Sequence, residues 1–306
     1  MGTPPFARTI LESLLTGPDP VVGVVCQPDR PRGRGLVRTA PEVKSLAAHA
    51  GLPVLQPERV RDPAFVDTLR ALAPDLVVVA AYGRILPRAI LDLPTHGCIN
   101  VHASLLPRHR GAAPVVAAIL TGDAVTGVTI MAMAEEMDAG DILLQRQVAI
   151  GPEESGGALT ERLALLGGAT LREAIAGVQA GTLRPVAQPA AGVTFAPRLG
   201  REQCRIDWER AAGEIARQVR ALAPAPSAFT TMGGRLLKVH RAATGSGGAG
   251  SSPGRVLRGG PEGIEVATGD GVLRLLEVQL EGKRRLTAAA YLAGHLLAPG
   301  TCLGQA

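Results

Sequence analysis

Aromatic side chains are scarce in this 306-residue chain, which has one Trp, two Tyr and four Phe. Its cores must therefore be built from Leu, Val, Ile and Ala. Cysteine is equally sparse: Cys26, Cys98, Cys204 and Cys302 stand far apart and form no Cys-x-x-Cys pair. That spacing argues against a zinc site and against a disulfide framework, and it fits a reducing cytoplasm. Cys26 and Cys98 fall in apolar strand-like runs and read as small buried residues. No apolar run approaches the ~20 residues that span a bilayer. The opening Met1-Gly2-Thr3-Pro4 has neither a basic n-region nor an apolar h-region, so no signal peptide is expected. No Gly-x-Gly-x-x-Gly opens the first helix, which disfavours a nicotinamide cofactor. No internal repeat occurs.

Charge is distributed unevenly. Residues 1–200 hold 18 Lys/Arg against 18 Asp/Glu, whereas residues 201–306 hold 14 against 9, so the whole net charge of +5 lies in the C-terminal third. A solvated Arg-rich surface is one reading of that excess, and a basic module that attracts a polyanion such as RNA is the other.

Length favours two domains. Val21–Cys26, Leu76–Ala81, Cys98–His102 and Val128–Met133 are short and rich in β-branched residues, as buried parallel strands are. Helical patterns alternate with them. Pro41–Ala50 opens on a first-turn Pro, and Asp62-Pro63 places a capping residue before Pro ahead of Ala64–Leu72. Ile142–Ile150 reads as a further strand and Gly157–Ala180 as one helix or two. The pattern predicts a doubly wound α/β domain of parallel-sheet, Rossmann-like type over 1–181. Residues 182–200, with three prolines and little periodicity, read as a linker. In 201–306, short alternating runs at Leu236–Arg241, Gly254–Leu257, Gly263–Ala267 and Val272–Val278 predict a small OB-like β-barrel, with a mobile Gly-rich loop over Ala243–Gly254. A doubly wound sheet normally begins on a strand, yet here Met1 directly precedes Gly2-Thr3-Pro4. A central parallel strand is therefore expected to be missing, through a late start assignment or a real truncation.

Three polar residues stand out against this framework. Asn100 and His102 are two apart on one strand, so their side chains share a face. Asp138 follows the next apolar run, where the tip of an adjacent parallel strand is expected. An amide, an imidazole and a carboxylate can polarise an acyl carbonyl, stabilise an oxyanion and move a proton. Each alone is commonplace; the three in this order point to catalysis.

The surrounding motifs carry a resemblance along almost the whole chain. They are Gly2-Thr3-Pro4-Pro5-Phe6-Ala7, the Gln27-Pro28-Asp29-Arg30-Pro31-Arg32-Gly33-Arg34-Gly35 loop, Ala81 to Pro87, Cys98 to His102 running on to Arg110-Gly111-Ala112-Ala113-Pro114, Gly127 to Met131, Met137-Asp138-Ala139-Gly140-Asp141, and Arg205-Ile206-Asp207-Trp208. In these the chain resembles the methionyl-tRNA formyltransferases. The Asn-x-His…Ser-Leu-Leu-Pro…Asp signature alone is also similar to glycinamide ribonucleotide and sugar-nucleotide formyltransferases and to the hydrolase module of formyltetrahydrofolate dehydrogenase. The Arg-rich loop and the basic second domain choose among them. The alternatives kept open are a formyltransferase of the same fold acting on a sugar nucleotide or glycinamide ribonucleotide, and a folate- or RNA-binding protein without catalysis.

The resemblance implies transfer of a formyl group from N10-formyltetrahydrofolate, with no metal, to the α-amine of methionine on initiator methionyl-tRNA, by a cytoplasmic monomer without membrane attachment. It implies catalysis by Asn100, His102 and Asp138. Ser104, Leu105, Leu106 and Pro107 would hold the folate, with Tyr82 and Leu86 in the Tyr82–Pro87 stretch forming the opposite wall. Asp141 would support the Asp138 loop. Arg34 and Arg38 would contact the tRNA acceptor end, although Leu36 and Val37 stand where the family often has lysines. Arg198, Lys283, Arg284 and Arg285 are further candidates for the RNA backbone, with Arg201 beside Arg198 in the linker.

Overall fold

The computed structural model describes residues 1–32, 37–247, 250–295 and 297–305. It divides into two compact units, Met1–Pro114 with Val125–Ala149 and Thr160–Pro197, and Val115–Ala124 with Ile150–Leu159 and Arg198–Ala306.

In chain order the elements up to the second unit's sheet are α1 (Pro5–Leu15), β1 (Val24–Val25), β2 (Arg30–Arg32), β3 (Val37–Thr39), α2 (Glu42–His49), β4 (Val54–Leu55), α3 (Pro63–Ala71), β5 (Val77–Val79), α4 (Arg88–Leu91), β6 (Cys98–His102), α5 (Pro114–Leu120), β7 (Val125–Ala132), β8 (Ile142–Ala149) and α6 (Gly156–Gln179). Local chemistry sets several boundaries. The Asp62 carboxylate accepts from the Ala64 amide at the start of α3, where Pro63 has no N–H to satisfy. All five residues of β6 are buried, as expected for a strand covered on both faces.

β1 pairs with β4, and β5 with β6, in parallel. Beyond β6 the expectation of neighbouring parallel strands is corrected: β7 runs antiparallel to β6, and β8 antiparallel to β7. The reason lies in the connections. A parallel neighbour needs a crossover that carries the chain back along the sheet. Most of α5, which lies in the connection, falls in the other unit, and the chain re-enters the sheet at the end it left. The β7–β8 loop is too short for any crossover. Asp138 therefore does not sit at the tip of a strand parallel to β6. It lies in a loop that folds back from the far end of β7.

Between β1 and β5 the chain start itself occupies the central position. The Met1 ammonium donates to the Val78 carbonyl at 2.6 Å, Gly2 N to Val25 O at 2.9 Å, and Ala80 N to Met1 O at 2.9 Å. Burial pushes the pKa of that amine down to about 6. A cleft of 330 Å³, lined mainly by apolar side chains that include Ile10, Leu11, Val24, Leu69, Val77 and Ile175, adjoins it.

The second unit adds α7 (Ala212–Leu222), β9 (Ala228–Met232), β10 (Arg235–Thr244), β11 (Val256–Gly260), β12 (Gly263–Ala267), β13 (Val272–Leu280), β14 (Leu286–Thr287) and α8 (Ala288–Gly294). The sheet is antiparallel in the order β11-β12-β13-β10-β9, with β14 on β13. Among the described residues its strand ladders do not close into a barrel. Instead the C-terminal tail laces the two edges: Cys302 bridges to Arg255 beside β11, and Leu303 bridges to Met232 on β9. The Gly-rich stretch separates β10 from β11, with residues 248 and 249 of it outside the described ones. Ile215, Val219 and Leu222 of α7 are buried in the core against Leu237, Val239, Leu273, Leu275 and Val278 of the sheet.

Arg205-Ile206-Asp207-Trp208 serves this core. Ile206 and Trp208 are buried within it, and the indole N–H donates to the buried Thr230 hydroxyl at 3.0 Å. Trp208→Ala should cost about 3–5 kcal/mol through the lost volume. Trp208→Phe should cost only about 1–3 kcal/mol, because it removes the hydroxyl's partner and keeps most of the packing. Urea denaturation of the two variants measures the difference, and equal losses would contradict the packing role.

Candidate active site

The site is built at the C-terminal end of β6. Asn100 and His102 project from it on the same face, and both are buried. The backfolded loop brings Asp138 to them: its Oδ1 lies 3.5 Å from Asn100 Nδ2, and its Oδ2 lies 3.8 Å from His102 Nδ1. The structure thus joins the three polar residues that the sequence singles out.

The distances also assign roles. At 3.8 Å the carboxylate does not hydrogen-bond to the ring. The ring's partner is the His109 carbonyl, 3.0 Å from Nε2. A carbonyl oxygen only accepts, so Nε2 carries the hydrogen and, in the neutral ring, Nδ1 presents its lone pair. The Asp138 carboxylate is held in turn by the Gly111 amide, which donates to Oδ2 at 2.8 Å.

Electrostatics favour the neutral ring. Burial pushes the His102 pKa below its ordinary value and outweighs the attraction of Asp138, which raises it. The hydrogen bond to His109 O also raises it, and the neighbouring His109 lowers it.

The Ser104–Pro107 loop is tied to β7 and β8. The Ser104 hydroxyl donates to Arg108 O at 2.6 Å, Thr129 Oγ1 donates to Ser104 O at 2.7 Å and accepts from Leu106 N at 3.1 Å, and Gln145 Nε2 donates to Leu106 O at 2.9 Å. Ser104 and Leu106 are buried, which leaves Leu105 and Pro107 as the partly exposed members. Tyr82 and Leu86 belong to the core beneath β5, and burial pushes the Tyr82 phenol up to about 12. The side chain that the Tyr82–Pro87 stretch turns outward is Ile85, 60% exposed. Since β5 and β6 are parallel neighbours, this stretch and Ser104–Pro107 leave the sheet side by side at the carboxyl ends of their strands, where open α/β sheets bind ligands.

The expected basic residues are dispersed. Arg38 lies on β3 in the first unit and Arg198 in the second, both exposed. Lys283, Arg284 and Arg285 are exposed after β13, with Arg285 engaged by Glu277. Arg34 lies outside the described residues. Asp141 closes the Asp138 loop through its backbone, its carbonyl accepting from Ala132 N at 2.8 Å, while its side chain is exposed.

Three contributors escape local sequence reading. His109 O, Gly111 N and Gln188 take their roles from backbone geometry or from distant chain, and no short-range pattern marks them. Gln188 reaches the Asp138 loop across fifty residues, donating to Asp138 O at 2.8 Å and Gly140 O at 2.7 Å.

Comparison with known proteins follows the same division. Residues 1–175 match the Formyl transferase family, and residues 198–296 match its C-terminal domain. The chain is 53% identical over 301 residues to the methionyl-tRNA formyltransferase of Myxococcus xanthus, covering 98% of this chain and 96% of that one. It is 49% identical to that of Desulfotalea psychrophila, covering 99% and 94%. Among solved structures, WlaRD, a sugar 3N-formyl transferase crystallised in the presence of dTDP and 5-N-formyl-THF, superposes with a TM-score of 0.67 at 15% identity, covering 92% of this chain and 97% of that one. HypX from Aquifex aeolicus in complex with tetrahydrofolic acid gives 0.60 at 21% identity over 80% of this chain, which spans 43% of HypX. At these identities the structures share the fold.

The geometry yields a titration prediction. His102 should take up its second proton below the ordinary ~6.5 of histidine. Because the folded-state value is depressed, the stability gained from a neutral ring is full above that ordinary value and is lost as pH falls. Asp138→Asn removes the charge that raises the value, so the titration should move lower still. NMR of the imidazole nitrogens follows both, and an unmoved or raised titration in Asp138→Asn would show that the carboxylate does not act on the ring.

Proposed function

The chain belongs to the methionyl-tRNA formyltransferase family, and from that premise we propose that it transfers a formyl group from N10-formyltetrahydrofolate to the α-amine of methionine on initiator methionyl-tRNA. The observation that carries the chemistry is a buried imidazole, hydrogen-bonded to a carbonyl at Nε2 and without a hydrogen bond at Nδ1, beside a carboxylate and an amide donor.

In this reading the free amine attacks the formyl carbon and the carbonyl electrons move onto oxygen. Asn100 has two amide hydrogens and no charge, and it donates to that oxygen as it becomes negative. The attacking nitrogen must shed a proton, and His102 Nδ1 is the basic atom aimed into the site. Asp138 stabilises the imidazolium so formed across 3.8 Å. Collapse of the intermediate breaks the carbon–N10 bond, and the proton passes to N10. No metal is required at any step.

The folate donor would lie between Ser104–Pro107 and Tyr82–Pro87, against Leu105, Pro107 and Ile85 and the backbone of both loops. Tyr82, Leu86, Ser104 and Leu106 shape that wall from beneath, being buried. Arg34, Arg38, Arg198, Lys283, Arg284 and Arg285 would contact tRNA phosphates. No helix among the described residues is long and apolar enough to cross a membrane. The proposal is completed by a monomer acting in the cytoplasm.

Two measurements test it. Formylation of charged initiator methionyl-tRNA should proceed with the chain as it stands, fall by several orders of magnitude in His102→Ala, and fall by about 10²–10³ in Asn100→Ala. Turnover of a small amine with none of tRNA would replace the substrate assignment. Separately, Arg198→Ala or Arg284→Ala should weaken tRNA binding uniformly and reduce the dependence of log K on log salt by about one unit each. An unchanged slope would remove that residue from the RNA interface.

A further inference from the structure

Asp138 is a non-glycine residue at φ +50°, in the left-handed region that L side chains enter at a cost. Residues 134–137 of its loop are exposed, and the loop is fastened at Asp138 by Gly111 N, at Asp141 by Ala132 N and at Glu136 by Arg110, 3.8 Å away. Position 140 admits no side chain, because a Cβ there would stand 1.9 Å from Ala132 O. Gln188 ties two backbone carbonyls of this turn together. Its amide nitrogen donates to both Asp138 O and Gly140 O, and its Oε1 accepts from Arg110 Nε at 3.1 Å and Arg110 Nη2 at 2.8 Å. All the hydrogen-bonding capacity of the amide is used, and its orientation is unambiguous because a guanidinium only donates and carbonyls only accept.

Arg110 stands between two residues that grip the catalytic pair. His109 O accepts from His102, and Gly111 N donates to Asp138. The Gln188–Arg110 bond therefore couples the support of the imidazole to the support of the carboxylate. Gln188 is itself placed by reciprocal backbone bonds between Ile142 and Val186, at 2.8 and 2.9 Å.

We propose that Gln188, acting with Arg110, is a positioning residue that sets the placement of Asp138 against His102. This rests on the formyl-transfer reading for its consequence in turnover, but the placement itself is measurable without it. The titratable groups facing the ring are Asp138 and His109. Of these, Gln188 holds only the Asp138 loop directly.

Gln188→Leu keeps the volume and removes every bond. It should lower kcat by about 100-fold with KM for both substrates little changed, as expected when reacting groups are misplaced by about 1 Å. It should also move the His102 titration lower, in the direction of Asp138→Asn. In an Asp138→Asn background Gln188→Leu should have almost no further effect, because it acts through that carboxylate. Should Gln188→Leu fail to fold, Arg110→Lys, which keeps the charge and loses the fork, should shift the same readouts in the same direction.

A lowered melting temperature with an unmoved His102 titration, or additive losses in the double variant, would overturn the proposal. Absence of formyl transfer in the unsubstituted chain would overturn the functional reading instead, and the titration would still decide the positioning.

Discussion

The hydrogen bond from His102 Nε2 to the carbonyl of His109 is the constraint on which the site depends. It decides which ring nitrogen holds the hydrogen, and so which one faces the reacting groups. The carbonyl is aimed there by a sharp turn, with His109 at φ +60° and Gly111 at φ +124°. A side chain at Gly111 would collide with Ala196 O at 2.6 Å, so the turn requires glycine. The same turn directs the Gly111 amide at Asp138, which lets one tripeptide orient both the base and its counter-charge.

Burial and charge act on His102 in opposite directions, and burial wins. Had Asp138 formed a direct hydrogen bond to the ring, the charged form would be favoured and the lone pair lost to catalysis. The gap of 3.8 Å keeps the carboxylate near enough to stabilise an imidazolium once formed, without imposing it beforehand. That spacing is a product of the mixed sheet. Because β7 runs antiparallel to β6, Asp138 arrives by a backfolded loop anchored at Gly111 and Gln188, and its distance is set by those anchors rather than by strand register.

The second unit solves a different problem with the same sparse palette. With one Trp in the chain, its core is a sheet of Val, Leu and Ile closed by α7, and the indole is placed where one edge needs both volume and a donor. The tail from Gly300 to Gly304 caps both sheet edges with backbone bonds, which answers the exposed-edge liability of an open antiparallel sheet. The basic excess of this unit is left on the surface, where Arg198, Lys283 and Arg284 are exposed.

Period and composition made much of this legible in advance. A short run with β-branched residues marked β6, its period of two put Asn100 and His102 on one face, and the Asp62-Pro63 step marked the start of α3, all consequences of interactions between near neighbours. The β-rich second unit was legible from alternation and Gly-rich turns. Strand direction was not, because periodicity tells which face a residue takes and not which way its strand runs. The hydrogen on Nε2, the 3.8 Å gap, the burial of Tyr82 and Leu86 and the grip of Gln188 were likewise set by contacts between segments distant along the chain. Residue type and spacing named the groups able to do the chemistry, whereas the folded neighbourhood selects which atom of each faces it, because hydrogen-bond partners and burial arise only there.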